Sequence, residues 1–286
     1  MTDLLDVSTH FRFGQNWADY SKLVDERRIT DARESVESLC GDLTGKTFLD
    51  IGSGSGLFSV SALRLGAKEV VAVDIDEDSV ATTRKLLTGE GRDNWRAERI
   101  SVFELPDHVH DKFDVVYSWG VLHHTGAMWR AVETAASFVK PGGTFAISLY
   151  EKTPLCGFWK REKRFYSLLP KPAQVTIRIG YHAAWAAALL LTGHNPVRRW
   201  REGNERGMSI AHDAHDWLGG FPYESAAPAE VISFMKKLGF EHRQTVPYRI
   251  RLKGLFGSGC AEYVFHKPEE AVAKSAPKRR SRAKAG

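Results

Sequence analysis

The sequence predicts an α/β protein built on a doubly wound, mostly parallel seven-stranded sheet, with a helical N-terminal cap and a helical insertion. Three observations carry this prediction. Between residues 47 and 149, short runs rich in Val and Ile alternate with segments of helical apolar spacing. Strands joined by helical crossovers pair in parallel and are covered by helices on both faces. The rhythm then stops over residues 151–222 and resumes with one helix and two strands, which complete the count.

Taken in order, residues 16–40 show helical spacing and stop at Gly41, as helices tend to. Thr47–Ile51 reads as a strand and Leu57–Leu65 as a helix closed by Gly66. Glu69–Asp74 (EVVAVD) is a strand, Asp78–Leu87 a helix, and Trp95–Val102 a weaker strand. Phe113–Trp119 (FDVVYSW) is a strand and Met128–Val139 a helix. Lys140–Gly143 (KPGG) makes a sharp turn into the strand Thr144–Leu149. Beyond the insertion come a helix at Ala229–Leu238, ended by Gly239, and strands near Phe240–Pro247 and Ala261–His266. The expected organisation is a cap over 1–44, a core over 45–150, an insertion or lid over 151–222, the rest of the core over 223–267, and a tail over 268–286.

The charge is unevenly placed. Formal charge is +5, but residues 271–286 carry six Lys and Arg with no acid, and removing those six leaves −1 for the remainder. The body is therefore near neutral, so no specific nucleic-acid face is expected. The tail is low in complexity and reads as disordered and solubilising. Three cysteines, Cys40, Cys156 and Cys260, lie far apart and suggest neither a metal site nor a disulfide framework, which fits a reducing cytoplasm. The start, MTDLLDVSTH, has no basic and apolar signal pattern, and the most apolar stretch, Ala183–Leu191, is far shorter than the roughly 20 residues of a spanning helix.

The chemistry begins at residues 48–57, FLDIGSGSGL, where the first strand runs into glycines at 52, 54 and 56. In a doubly wound sheet, ligands bind beyond the carboxyl ends of the strands, where the strand order reverses. The dinucleotide fingerprint G-x-G-x-x-G fails because position 57 is Leu57, and no Lys-Ser/Thr pair follows for a nucleotide triphosphate. The second strand ends in Asp74, twenty residues past Gly54, where a carboxylate can accept from both hydroxyls of a ribose. Asp50 would oppose a pyrophosphate but suits a cationic amino group.

LDIGSGSG, VVAVDID, FDVVYSWGVLHH and VKPGG, in this order and spacing, resemble the successive motifs of class I S-adenosylmethionine-dependent methyltransferases. The likeness covers roughly residues 45–150 and is nearest to the small-molecule branch that includes the ubiquinone-biosynthesis O-methyltransferases. It implies a Rossmann-like methyltransferase fold, S-adenosyl-L-methionine as co-substrate, and a small-molecule acceptor. By the same resemblance Gly52, Ser53 and Gly54 lie under the methionine part, Asp74 holds the ribose, and Ile75 lies against the adenine. Ser101 and Val102 stand at the adenine edge, and Trp119 lines the pocket near the sulfonium. The quinone enzymes use carboxylates in the fourth-strand region to help bind a divalent cation; here Gly120 and His123 occupy it, so no metal ligand is assigned and the metal is doubtful.

Methylating a hydroxyl calls for a base, and histidine titrates near neutrality. His123 and His124 follow the fourth strand; being adjacent, only one is expected to face the site, and His124 matches the histidine of the quinone O-methyltransferase motif. In the insertion, a helix over Ser209–Leu218 places His212 with His215, and Asp213 with Asp216, at spacings that share a face. His215 is the second candidate base. Zinc is excluded, since the protease signature needs histidines four apart with Glu between. Residues 174–191, with a polar stripe of Gln174, Arg178 and His182 and basic clusters on either side, resemble an interfacial helix, so peripheral contact with a membrane surface is one reading and packing within the protein the other. Arg12 is a candidate for the methionine carboxylate. Oligomeric state is left open. The readings carried forward are O-methylation of a small aromatic or lipophilic hydroxyl compound, N-, C- or sugar methylation, and S-adenosylmethionine binding without catalysis.

Overall fold

The computed structural model describes residues 13–202, 210–248, 255 and 257–269. The elements are α1 (Phe13–Ser21), α2 (Glu26–Cys40), β1 (Thr47–Ile51), α3 (Leu57–Arg64), β2 (Glu69–Asp74), α4 (Glu77–Thr88), β3 (Trp95–Arg99), α5 (Leu105–His108), β4 (Phe113–Trp119), α6 (Met128–Ser137) and β5 (Val139–Tyr150). The insertion supplies α7 (Cys156–Leu168), α8 (Lys171–Leu191), α9 (Pro196–Glu202) and α10 (Ile210–Gly219), followed by α11 (Pro228–Lys237), β6 (Glu241–Val246) and β7 (Cys260–His266).

Seven strands form one sheet in the order β3-β2-β1-β4-β5-β7-β6. The first five pair in parallel, while β7 runs antiparallel to both β5 and β6. The sheet is therefore the expected doubly wound one. Its strand order reverses between β1 and β4, where the loops after those strands leave a crevice. The central strands are buried on both faces: Leu49, Ile51, Val71 and Val116 pack toward α6 and α11, and Phe48, Val70, Ala72 and Val115 toward α2 and α3. A third cluster, Tyr150, Trp159, Tyr166, Trp217, Leu218 and Tyr223, fastens α7 and α10 to the end of β5.

Three boundaries differ from the sequence reading. The single helix expected over 16–40 is two, because the Asp25 carboxylate caps α2 by accepting from the Arg28 amide at 2.9 Å. A residue that caps a new helix leaves the preceding one no continuous ladder. Lys140–Gly143, expected as a turn, lies within β5, where the pairing with β4 shifts register between Phe113 and Val115. The strand expected to reach Val102 ends at Arg99. Arg12 and nearly all of the tail lie outside the described residues.

Candidate functional site

One cavity of about 2100 Å³ opens over the carboxyl ends of β1, β2 and β4. Single-ligand pockets are typically about 300–1000 Å³, so this one has room for two ligands side by side. Asp50, Gly52, Ser53, Gly54, Asp74, Ile75, Ser101, Val102, Trp119 and His124 all line it.

The glycine loop is shaped by what packs against it. Gly52 has φ +77°, and a Cβ there would stand 2.4 Å from the Val121 side chain. The missing side chain lets the segment after β4 lie directly on the loop. Gly54 (φ +55°) has the Trp17 indole within 3.3 Å of where its Cβ would be, so α1 forms the roof. The Ser53 hydroxyl bonds Thr83 at 3.0 Å and the Gly52 amide donates to Val73 at 2.7 Å, which ties the loop to the neighbouring strand and helix.

Two carboxylates underlie the loop. Asp74 accepts the amides of Gly54 and Asp76, both at 2.9 Å, one on each oxygen. Asp50 is 2% exposed and accepts the Ser59 hydroxyl at 2.6 Å. Burial raises the Asp74 carboxyl to about 6 and the Asp50 carboxyl to about 7, the latter pushed further by the charge of Asp74. Among the described residues neither takes part in a salt bridge. Buried carboxylates of this kind are compensated by a ligand that brings positive charge or hydroxyl donors.

The Ser101 side chain is buried and its oxygen accepts from the Phe103 amide at 3.3 Å. Trp119 donates its indole N–H to Glu262 at 2.7 Å, which fixes the ring at the cavity wall.

The turn Leu122–His124 separates the two adjacent histidines. His124 lines the cavity, and its Nδ1 lies 2.8 Å from the Pro222 carbonyl. A carbonyl can only accept, so Nδ1 carries the proton and the Nε2 position carries the lone pair in the neutral ring. Phe13 packs at 5.1 Å and Tyr150 stands edge-on at 5.3 Å. Gly220 closes the other side: a Cβ there would stand 2.5 Å from the His124 Cε1. The Glu224 amide donates to the His123 carbonyl at 3.0 Å, while its carboxylate accepts from the Met128 amide at 2.8 Å. Segment 220–226 thus braces the whole turn.

His123 points elsewhere. It is fully buried, its ring 3.9 Å from that of Tyr150, and it does not line the cavity. Burial holds it well below its ordinary pKa. The expectation that His215 faces the site is also corrected. α10 turns Asp213, Ala214, Asp216 and Trp217 to the cavity, and His215 bonds the Tyr166 hydroxyl at 2.9 Å. The face is set by Trp217 joining the aromatic cluster of α7 and β5, and by Asn16 of α1 donating to Asp216 at 2.7 Å.

Sequence reasoning missed Phe13, Trp17, Tyr150 and Trp217 as lining residues, and put Asp213 and Asp216 on one face of the lid helix without assigning that face to the cavity. The aromatic-rich HFRFGQNWADY segment was the one available signal for the first two. The others come from chain segments distant from the motifs.

Residues 49–145 match the family described as "Methyltransferase domain". The chain is 35% identical over 108 residues to the ribosomal protein L11 methyltransferase of Photobacterium profundum, covering 37% of this chain and 34% of that protein. It is 28% identical over 154 residues to the ubiquinone biosynthesis O-methyltransferase of Acinetobacter baumannii, covering 53% and 65%. The matched segment thus spans about a third to two thirds of these relatives' lengths. In fold it resembles an S-adenosylmethionine dependent methyltransferase from Mesorhizobium loti, with a TM-score of 0.50 and 17% identity over 84% of this chain and 100% of that one.

Proposed function

We propose that this chain, whose residues 49–145 match a methyltransferase domain, is a class I S-adenosylmethionine-dependent methyltransferase that methylates a hydroxyl group of a small aromatic or lipophilic acceptor. The observation that carries the reading is the convergence on one cavity of the glycine loop, Asp74 and the lone-pair position of His124.

The co-substrate, when bound, supplies an electrophilic methyl carbon on a cationic sulfur. Its chemistry fits the residues present. Asp74 would accept the ribose hydroxyls with the lone pairs its two amide bonds leave. Asp50 would face the ammonium group, with Gly52, Ser53 and Gly54 under the methionine part. Ile75 would lie against the adenine, Ser101 and Val102 at its edge, and Trp119 beside the sulfonium, where an aromatic face adds roughly 0.5–2 kcal/mol.

The acceptor half is walled by Phe13, Tyr150 and Trp217, which suit a flat or apolar molecule. His124 would take the hydroxyl proton on Nε2 as the oxygen attacks. The Pro222 carbonyl holds the ring in the required tautomer and stabilises the imidazolium that forms, the role a carboxylate plays in a catalytic triad. Holding the acceptor in line supplies about 7–11 kcal/mol, against a base contribution of 10²–10⁴-fold, about 3–5 kcal/mol, so positioning carries the larger share.

Asp213 and Asp216 favour a second reading. Two carboxyl groups on the acceptor side would attract an amine, which carries its own lone pair once deprotonated and would be methylated on nitrogen. A mass-spectrometric screen of phenolic, quinol, amine and sugar acceptors separates the two by which compound gains one methyl group. Calorimetry that detects NADH binding but none of S-adenosylhomocysteine would overturn both. The partner this reading requires is a small molecule.

A further inference from the structure

Helix α8 is amphipathic in the opposite sense to a helix facing water. Its half-buried side carries Gln174, Arg178 and His182, and its exposed side carries Val175, Ile179, Ala183, Ala187, Leu190 and Leu191, with no charge among them. Ile179 is 65% exposed and Leu191 88%. Further apolar side chains are exposed on α7, at Phe158, Phe165 and Leu168, and on α9, at Val197, while Trp200 of α9 packs on the inner side of α8 against His182 and Trp185. A soluble monomer rarely leaves so long an apolar face to water, and such faces mark interaction surfaces.

Charge selects the occupant. From Lys160 to Arg201 the sequence holds nine Lys and Arg against one acid, the half-buried Glu162. Lys163 is buried, while Lys160, Arg161, Arg164, Lys171 and Arg199 are exposed. A second copy docked about a two-fold axis would oppose this basic rim to its own image, whereas an anionic lipid surface complements both rim and face. Among the described residues no helix is long and apolar enough to cross a membrane. At roughly 1.5 Å per residue, α8 is long enough to lie along a bilayer surface as an interfacial helix.

We propose that α7, α8 and α9 seat this protein on an anionic lipid surface, with the apolar side of α8 in the headgroup region and the basic rim against the lipid phosphates. The inner side of the same helix lines the cavity through Tyr181, His182, Trp185 and Leu189. The acceptor is then an amphiphile that partitions into lipid. This last step rests on the methyl-transfer reading; the docking itself does not.

The test is co-sedimentation with phosphatidylcholine vesicles and with vesicles of equal parts phosphatidylcholine and phosphatidylglycerol. The full chain should sediment with the mixed vesicles and far less with phosphatidylcholine alone. The double substitution Ile179→Glu with Leu190→Glu should reduce the bound fraction at least tenfold. Arg164→Ser with Lys171→Ser should reduce it roughly fivefold per residue, the contribution of one basic group near an anionic surface. All variants should keep their S-adenosylhomocysteine affinity by calorimetry, which shows that they are folded. No binding to the mixed vesicles, or equal binding by the glutamate variant, overturns the proposal. A lipid-free dimer that Ile179→Glu dissociates overturns it in favour of a second copy. Vesicle binding by a wild-type chain that binds no S-adenosylhomocysteine supports the docking and sinks the methyl-transfer reading.

Discussion

Asp74 offers the sharpest test of the cofactor assignment, because its two roles respond differently to substitution. In the free protein it accepts two backbone amides, those of Gly54 and Asp76. Replacing it by Ala would strand both donors, at about 1–3 kcal/mol each. Asp74→Asn keeps one carbonyl acceptor and turns an NH₂ toward the other amide, so only one donor is stranded. Burial raises the Asp74 carboxyl from 3.8 to about 6, so keeping it ionised at pH 8 costs at most about 3 kcal/mol, and Asn removes that cost. The two effects are of similar size and opposite sign. The melting temperature of Asp74→Asn should therefore stay within a few degrees of wild type.

Affinity should not be spared. Two charge-assisted bonds to the ribose, at about 1.5–3 kcal/mol each, become at best one neutral bond at about 0.5–1.5 kcal/mol. The loss is at least about 1.5 kcal/mol, a tenfold weakening or more. Scanning calorimetry reads the first quantity and titration calorimetry with S-adenosylhomocysteine the second. A variant that melts like wild type and binds with unchanged affinity would refute the ribose assignment.

Binding should also depend on pH. Asp50 at about 7 and Asp74 at about 6 are raised by burial, and an ammonium or hydroxyl donors beside them would lower both. The complex therefore binds fewer protons, and S-adenosylmethionine affinity should rise from about pH 5 to about pH 8 and then level off; calorimetry finding a flat profile contradicts this. His124→Ala should lower kcat on the order of 10²-fold with S-adenosylhomocysteine affinity held, whereas His215→Ala, on the far side of α10, should keep kcat within a few-fold. Steady-state kinetics on one acceptor decides, and the reverse ranking would move the base to α10. Gly220→Ala should displace the His124 ring, because its Cβ would stand 2.5 Å from Cε1; a kcat loss of about tenfold without a change in cofactor affinity is the expected signature, and an unchanged kcat counts against His124 as base. Removing residues 271–286 should leave melting and cofactor binding intact, since that segment has few apolar groups for a core; a large drop in melting temperature would show that it packs.

The sheet, the glycine loop and Asp74 were legible in the sequence because each is a local signal. A β-branched run predicts its own strand, and a ligand loop at the end of β1 with an acid at the end of β2 needs only two adjacent strands to bring them together, as the pairing of Asp50 with Ala72 does. Directions were not legible from spacing alone, and the preference for His124 over His123 came from the family resemblance. His123 and His124 differ by one residue, yet one ring is buried against Tyr150 and the other faces the cavity, because the Pro222 carbonyl and Gly220 approach from a segment nearly a hundred residues away. Helical spacing paired His212 with His215 and Asp213 with Asp216, but which pair meets the cavity depends on Trp217 packing among α7 and β5 and on Asn16 reaching Asp216. The polar stripe of α8 could be read from the sequence, whereas its inward direction could not. A helix's periodicity defines its faces, and only the neighbours that pack against it choose the one that turns inside.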